Sequence, residues 1–243
     1  MRIEAAWIPD IVRSAFQPTI LPKTEGEGKF LINTEAELSI LSPEFQEIFI
    51  RFQESKLCGA FIDQIARVEY EPQLAGYFFE LLSYFFLEST LQPDEFLLSP
   101  SDTESFYRSI GIISQQGEMT IPDGILFRKQ KEESIICSFC EYSVSRYKAY
   151  KTKQSRYYQS QFTGRELDRL LGMAGLLGQR FLPTNFPNRL SWSGSFKIIY
   201  AVPEDGNIAR KNPVGNTTEV IRLPITYQEF GRLFGALLSD ISY

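Results

Sequence analysis

The sequence predicts a layered α/β (α+β) domain in which helices flank a central mixed sheet. Two patterns support this fold class: apolar residues recur at helical spacing over residues 71–90 and again near the C-terminus, whereas residues 111–144 hold two strand-like runs joined by a charged turn. With 243 residues, of which 43% are hydrophobic, the chain can bury one sizeable core. The order helix, hairpin, helix, strand, strand, helix is typical of a single layered domain.

The first 70 residues are predicted to form an N-terminal elaboration packed on that core. A strand is expected near residues 29–41, followed by a helix that begins after Ser42. Ser42 is a suitable N-cap, Pro43 fits the first helical position, and the Glu44 carboxylate complements the helix dipole. These three residues together predict the start of a helix.

Residues 71–90 carry the most regular helical pattern of the chain. The apolar positions share one broad face, and they are Leu74, Phe78, Leu81, Leu82 and Phe85. Glu80 belongs to a narrow polar stripe on the other side, so it is either a solvated helix residue or a carboxylate that reaches toward the sheet edge. Residues 91–105 are rich in polar side chains and are predicted to form a loop.

The two strand-like runs, at residues 111–128 and 134–144, predict a β-hairpin. If its turn is symmetric about Glu132, Asp123 and Glu141 face each other with their β-carbons about 5 Å apart. Opposed carboxylates repel, so either one of them is protonated or a cation lies between them. Carboxylates, backbone oxygens and waters are typical ligands of Mg²⁺. A slip of one residue would remove the opposition and leave a purely structural hairpin.

The rest of the chain returns to alternating helix and strand. Residues 163–181 are expected to form a helix that opens with a capping box. Strands are expected within residues 195–203 and 220–224, and Thr226 is expected to cap a final helix.

The composition narrows the chemistry that the chain can use. Histidine is absent, which excludes histidine-based catalytic triads and removes the commonest zinc ligand. An enzyme with this sequence must therefore rely on carboxylates, lysine, tyrosine or a hard metal ion. No signal peptide or long apolar run is visible, so we expect a cytoplasmic protein with no membrane association.

A basic stretch runs from Tyr142 to Arg165 without a single acidic residue, although the formal net charge of the chain is -5. Its cations alternate with tyrosines, and they are Arg146, Lys148, Lys151, Lys153, Arg156 and Arg165. Such cations can bind phosphates and tyrosines can stack on bases, but a solvated helix face has the same composition. Because the stretch directly follows Glu141, we favour DNA as the partner.

Four short motifs resemble the PD-(D/E)xK nuclease superfamily, which has the restriction endonuclease-like fold. They are GYFFELL at 76–82, PDG at 122–124, CEYS at 140–143 and QSRYY at 154–158, the last being similar to the QxxxY helix of the RecB-like branch. The motifs stand in the family's order. The resemblance covers about residues 70 to 203, and the nuclease-like domain is expected at 71–243. The resemblance implies a core of helix, three strands, helix and strand.

By this resemblance, individual residues acquire roles. Asp123 and Glu141 would bind Mg²⁺, or Mn²⁺ in its place, and Glu80 would assist as an outer carboxylate. Gln154 and Tyr158 would orient the substrate or the attacking water.

One position departs from the family pattern. Ser143 stands where a lysine is expected, and a lysine from a neighbouring element would have to replace it. Lys148 is the nearest candidate, followed by Lys151 and Lys153, which with Arg156 are also expected to contact DNA.

The sequence thus predicts a magnesium-dependent DNA nuclease, a hydrolase that cleaves phosphodiester bonds with a metal-activated water. One alternative is a catalytically inactive nuclease-like fold that acts as a nucleic-acid-binding or assembly subunit, with a protein partner or a second copy of the chain. Another is an unrelated α/β protein in which the paired carboxylates are fortuitous.

Overall fold

The computed structural model describes residues 38–39, 41–65, 67, 71–109, 122–129, 135–142, 197–206 and 218–241. In this part of the chain the elements are α1 (Pro43–Gln53), α2 (Lys56–Ile65), α3 (Glu71–Thr90), β1 (Glu95–Leu97), α4 (Pro100–Ser109), β2 (Gly124–Lys129), β3 (Ile135–Tyr142), β4 (Lys197–Pro203), β5 (Thr218–Leu223) and α5 (Tyr227–Ile241). Nearly all of the strand expected near residues 29–41, the helix expected at 163–181 and the basic stretch after Tyr142 lie outside the described residues.

The described strands form one mixed sheet of five strands in the order β1-β2-β3-β4-β5. β1, β2 and β3 are antiparallel neighbours, whereas β3, β4 and β5 run parallel to one another. The predicted mixed α/β architecture is therefore confirmed. β3 lies at the centre of the sheet, between its antiparallel and its parallel half.

The helix predicted after Ser42 begins as expected. The Ser42 hydroxyl oxygen accepts a hydrogen bond from the backbone amide of Phe45 at 3.2 Å, and Pro43 occupies the first turn of α1. The second helix, α2, begins after Ser55, whose hydroxyl oxygen accepts from the amide of Cys58 at 3.3 Å. Sequence patterns did not predict α2.

The loop predicted at residues 91–105 is wrong. Most of the segment belongs to β1 and to the first half of α4. The segment also contains buried apolar residues despite its polar composition, since Leu97 and Leu98 are at most 5% exposed. At the sheet edge, Arg128 of β2 forms an ion pair with Glu95 of β1.

Four helices meet around the ring of Phe78, which is fully buried on α3. Its centroid lies 5.5 Å from that of Phe52 on α1, 5.3 Å from that of Phe61 on α2, and 5.9 Å from that of Phe234 on α5. Contacts at these distances contribute beyond the burial of apolar area. All five apolar residues predicted for the core face of α3 are buried, which confirms the helical pattern.

The two faces of the sheet bury different sets of side chains. Leu126, Cys140 and Tyr142 belong to the same apolar cluster as α1, α3 and α5. Successive strand residues point to opposite faces, so Phe127 points away from that cluster. There its ring lies 6.3 Å from the ring of Phe106 on α4. Helices therefore pack against both faces.

The final helix begins at a capping box, which confirms the predicted cap at Thr226. The Glu229 amide donates to the Thr226 hydroxyl oxygen at 3.2 Å, and the Glu229 carboxylate accepts from the Thr226 amide at 2.7 Å. The Asp205 carboxylate accepts a further hydrogen bond from the amide of Tyr227, at 2.9 Å, which ties the start of α5 to the turn after β4.

Candidate carboxylate site

The hairpin has the predicted register. Gly124 pairs with Cys140 and Ile125 with Phe139, so every β2–β3 pair adds to the same total as Asp123 with Glu141. Asp123 immediately precedes β2, and Glu141 is the penultimate residue of β3. The expected alignment is therefore confirmed as far as the pair Gly124–Cys140, which is adjacent to Asp123 and Glu141.

Asp123 is attached to the end of β3 by two hydrogen bonds. Its backbone amide donates to the carbonyl oxygen of Cys140 at 2.9 Å, and its Oδ2 accepts from the backbone amide of Tyr142 at 2.6 Å. A carboxylate that accepts from a backbone amide forms a short, charge-assisted bond. The side chain of Asp123 is thereby oriented along the last residues of the central strand.

Glu141 lies on the central strand and is only 3% exposed. Its side chain alternates with those of Cys140 and Tyr142, so it points to the face that also holds Phe139. On the other side of β3, Glu141 pairs with Tyr200 of parallel β4. Burying a carboxylate in such a position costs free energy unless charge or hydrogen bonds compensate for it.

Glu80 brings a third carboxyl group to this end of the sheet. Burial raises the pKa of Glu80 well above its ordinary value, and the charge of Asp123 raises it further. Burial and then the charge of Glu80 also raise the pKa of Tyr77, one turn earlier on α3. Glu80 and Asp123 are thus electrostatically coupled, and the predicted reach of the Glu80 carboxyl toward the sheet edge stays a prediction.

Cys140 and Tyr142 flank Glu141 along β3 and are affected by the charges of these carboxylates. Burial is the main reason why the pKa of the Cys140 thiol is raised, and the charges of Asp123 and Glu141 add to it. Burial also raises the pKa of Tyr142, with the Cys140 thiol and Asp123 as further causes. Asp123 therefore acts electrostatically on groups from both α3 and β3.

The predicted site residues divide into two sets. Glu80, Asp123 and Glu141 are described and approach the same end of the sheet. The others lie outside the described residues, and they are Ser143, Lys148, Lys151, Lys153, Gln154, Arg156 and Tyr158. Within the described ranges, no three or more Asp, Glu, Cys or His side chains are arranged to hold a metal ion. A site there would have to use a pair of carboxylates, completed by backbone oxygens and waters.

Sequence reasoning missed the residues that support the carboxylates. In the sequence, Gly124 is marked only by the PDG motif, and Tyr142 only by the CEYS motif and by its place at the start of the basic stretch. Strand alternation places Tyr142 on the same face as Cys140. No local sequence pattern, however, predicts that the Tyr142 side chain reaches Gly124 on β2.

Comparison of the chain with models of protein families, with curated proteins and with solved structures gives no match. Among the helices of the described residues, none combines the length and the apolar character needed to cross a membrane.

Proposed function

We propose that the chain is a Mg²⁺-dependent DNA nuclease of the PD-(D/E)xK type, which hydrolyses phosphodiester bonds. The observation that carries this proposal is the electrostatic coupling of Glu80 to Asp123, together with the β2–β3 register that aligns Asp123 with Glu141. A buried carboxyl whose pKa is raised by a neighbouring carboxylate is typical of functional sites, because a purely structural core avoids such repulsion.

The order of elements supports the proposal at the level of topology. Helix α3 is followed by the antiparallel strands β1, β2 and β3, and later by β4, which is parallel to β3. The resemblance implies a helix, three strands, a helix and a strand; the described elements follow this order except that α4 lies between β1 and β2, and the second helix of that core falls outside the described residues. Asp123 precedes the start of β2, and Glu141 lies near the end of β3, which is adjacent to that start. The PD-(D/E)xK motif expects its two acidic residues at these positions.

The chemistry of the donor set fits Mg²⁺. Asp123 and Glu141 offer hard carboxylate oxygens, and Mg²⁺ is commonly held by one or two carboxylates while it keeps several waters. When bound, the ion would supply a nucleophilic water and stabilise charge on the phosphodiester.

The protein's own residues have separate tasks in this proposal. The Tyr142 amide orients the Asp123 carboxylate toward the end of β3. Glu80, whose pKa is raised by burial and by the charge of Asp123, assists as an outer carboxyl group. Lys148, or else Lys151 or Lys153, supplies the positive charge that Ser143 cannot.

Ser143 favours a second candidate function. Without a lysine at that position, the fold would retain the carboxylates and the basic stretch but would not cleave. The chain would then act as a nucleic-acid-binding or assembly subunit. Binding to DNA without cleavage distinguishes this function from the first.

Cleavage of plasmid DNA in Mg²⁺ or Mn²⁺ tests the proposal. We expect Asp123→Ala and Glu141→Ala to reduce cleavage by at least about 100-fold, since removal of even an outer partner of a metal site typically costs 10–100-fold. Glu219→Ala, which changes an exposed carboxylate on β5, is the matched control and should cleave like the wild type.

DNA binding is measured in parallel at low salt, where phosphate contacts are strongest. Binding without cleavage in both metals supports the assembly or binding subunit. If the chain neither binds nor cleaves DNA, both candidate functions are contradicted.

A further inference from the structure

Gly124 occupies a position that has no room for a side chain. A β-carbon built there would lie 2.7 Å from the hydroxyl oxygen of Tyr142, 3.2 Å from the carbonyl oxygen of Leu98 and 3.4 Å from the β-carbon of Cys140. Contacts below 3.0 Å are almost never tolerated by real β-carbons. The tip of the Tyr142 side chain therefore rests against the backbone at the first residue of β2.

Tyr142 thus reaches the start of β2 in two ways. Its hydroxyl approaches Gly124, and its backbone amide donates to Oδ2 of Asp123 at 2.6 Å. The ring is 6% exposed and belongs to the apolar cluster that includes Cys140 and α3, so its position is fixed by packing. One residue at the end of β3 therefore touches both residues at the entrance to β2.

The other contacts of this corner restrict it further. The Asp123 amide donates to the Cys140 carbonyl oxygen at 2.9 Å, and the Leu98 amide donates to the Ile125 carbonyl oxygen at 2.9 Å. The backbone on both sides of Gly124 is therefore attached to neighbouring strands. A change in the separation between Gly124 and the Tyr142 ring would therefore act on the same residues that hold the Asp123 carboxylate.

We propose that Tyr142 is a positioning residue for Asp123, and that Gly124 is required because the Tyr142 side chain occupies the space of its β-carbon. The phenol ring sets the spacing between the start of β2 and the end of β3. At this spacing the Tyr142 amide meets Oδ2 of Asp123 and holds the carboxylate in one orientation. The consequence for Mg²⁺ affinity, but not the positioning itself, rests on the proposed nuclease function.

The test uses a pair of substitutions that create and then remove one steric conflict. Gly124→Ala introduces the β-carbon that meets the Tyr142 hydroxyl, and Tyr142→Phe deletes that hydroxyl while keeping the ring and the amide. The combined variant should relieve most of the conflict, leaving only the closer approach to Leu98. Gly59→Ala, at a helical glycine with no atom within 4 Å of the added carbon, is the matched control.

The first measurement follows the Tyr142 amide by NMR and hydrogen exchange. In the wild type we expect a downfield proton shift and strong protection, since the amide donates a short bond to a carboxylate. Gly124→Ala should move the resonance upfield and speed exchange by about tenfold or more. The combined variant should return both values most of the way to those of the wild type, and Gly59→Ala should leave them unchanged.

The second measurement is Mg²⁺ affinity by calorimetry. Loss of an outer partner of a metal ligand typically weakens affinity by about 10–100-fold, so Gly124→Ala should bind Mg²⁺ that much more weakly. The combined variant should recover most of the affinity.

The outcomes separate the inference from the proposed function. If the wild type shows the protected amide but no Mg²⁺ affinity, the proposed function fails and the positioning role stands. If Gly124→Ala leaves the amide unchanged, or if the combined variant is as disturbed as Gly124→Ala alone, the positioning role is overturned. Should Gly124→Ala fail to fold, Tyr142→Leu, which keeps the amide but shortens the side chain, must show the faster exchange.

Discussion

Burial and then the charge of Asp123, at the entrance to β2, raise the pKa of the Glu80 carboxyl on α3 well above its ordinary value. The two residues belong to different layers of the domain. Their proximity couples the protonation of a helix residue to the charge on a residue at the sheet edge. This coupling has a measurable effect on stability.

Glu80 should make the folded state less stable as the pH rises. Because its folded pKa lies above the unfolded value, its contribution is fully present below the unfolded pKa and is lost as the pH rises through the folded pKa. Glu80→Gln cannot ionise, so its stability relative to the wild type should increase as the pH rises from the ordinary carboxyl pKa through the raised folded pKa of Glu80, and stay constant above it.

Urea unfolding at several pH values measures this difference. Glu47→Gln, which changes an exposed carboxylate on α1, is the control and should give a curve parallel to that of the wild type. A constant difference between Glu80→Gln and the wild type at all pH values would contradict the raised pKa.

Magnesium should stabilise the wild type if Asp123 and Glu141 form a site. At about ten times the dissociation constant, binding to the native state alone adds about 1.4 kcal/mol, which raises the melting temperature by roughly 3–6 °C in a chain of this size. Asp123→Asn and Glu141→Gln should lose the rise. Thermal melting at constant ionic strength measures it, and an equal rise in either variant would rule out this pair as the ligands.

Phe78→Ala should be among the most damaging core substitutions. The ring contacts residues of α1, α2 and α5, so its removal leaves a cavity where four helices meet. We expect a loss of about 3–5 kcal/mol in the free energy of unfolding. Ile50→Ala on α1 is the control, because Ile50 is 47% exposed and its loss should cost much less. Equal losses in the two variants would show that the cluster is not tightly packed.

Removal of the cap on α5 should lower the free energy of unfolding by a measurable amount that is smaller than the loss in Phe78→Ala. Thr226→Ala deletes the hydroxyl that accepts from the Glu229 amide, and we expect a loss of about 1–2 kcal/mol. Thr226→Ser keeps that hydroxyl and should regain most of the loss. If serine does not restore stability, the hydroxyl is not what stabilises the start of α5.

Several elements could be predicted because their signals are local. The apolar face of α3 follows from helical spacing, and the starts of α1 and α5 follow from Ser42 and Thr226. The hairpin register follows from one symmetric turn, which explains why the pairing of Gly124 with Cys140 was predicted without any knowledge of the sheet.

Other elements depend on contacts between distant residues and left no local signal. β1 is only three residues long and exists because it pairs with β2, about 30 residues away in the chain. The polar residues around it give the segment the composition of a loop. At the site, Asp123 and Glu141 could be aligned from the sequence, but the reach of the Tyr142 ring to Gly124 depends on packing in three dimensions.

The contacts that join the start of α1 and the middle of α3 to the C-terminal part of the described chain have a consequence for biosynthesis. The Ser42 hydroxyl donates to the Pro224 carbonyl oxygen at 3.3 Å across 182 positions of the chain, and Phe78 of α3 stacks on Phe234 of α5. At about 5–20 residues per second, a ribosome needs roughly 8–30 seconds to complete α5 after α3 has been made. During that interval Phe78 lacks its partner on α5, so part of its apolar surface stays exposed in the nascent chain. Protease sensitivity of α1 in ribosome-bound chains that stop before Tyr227 would measure this exposure.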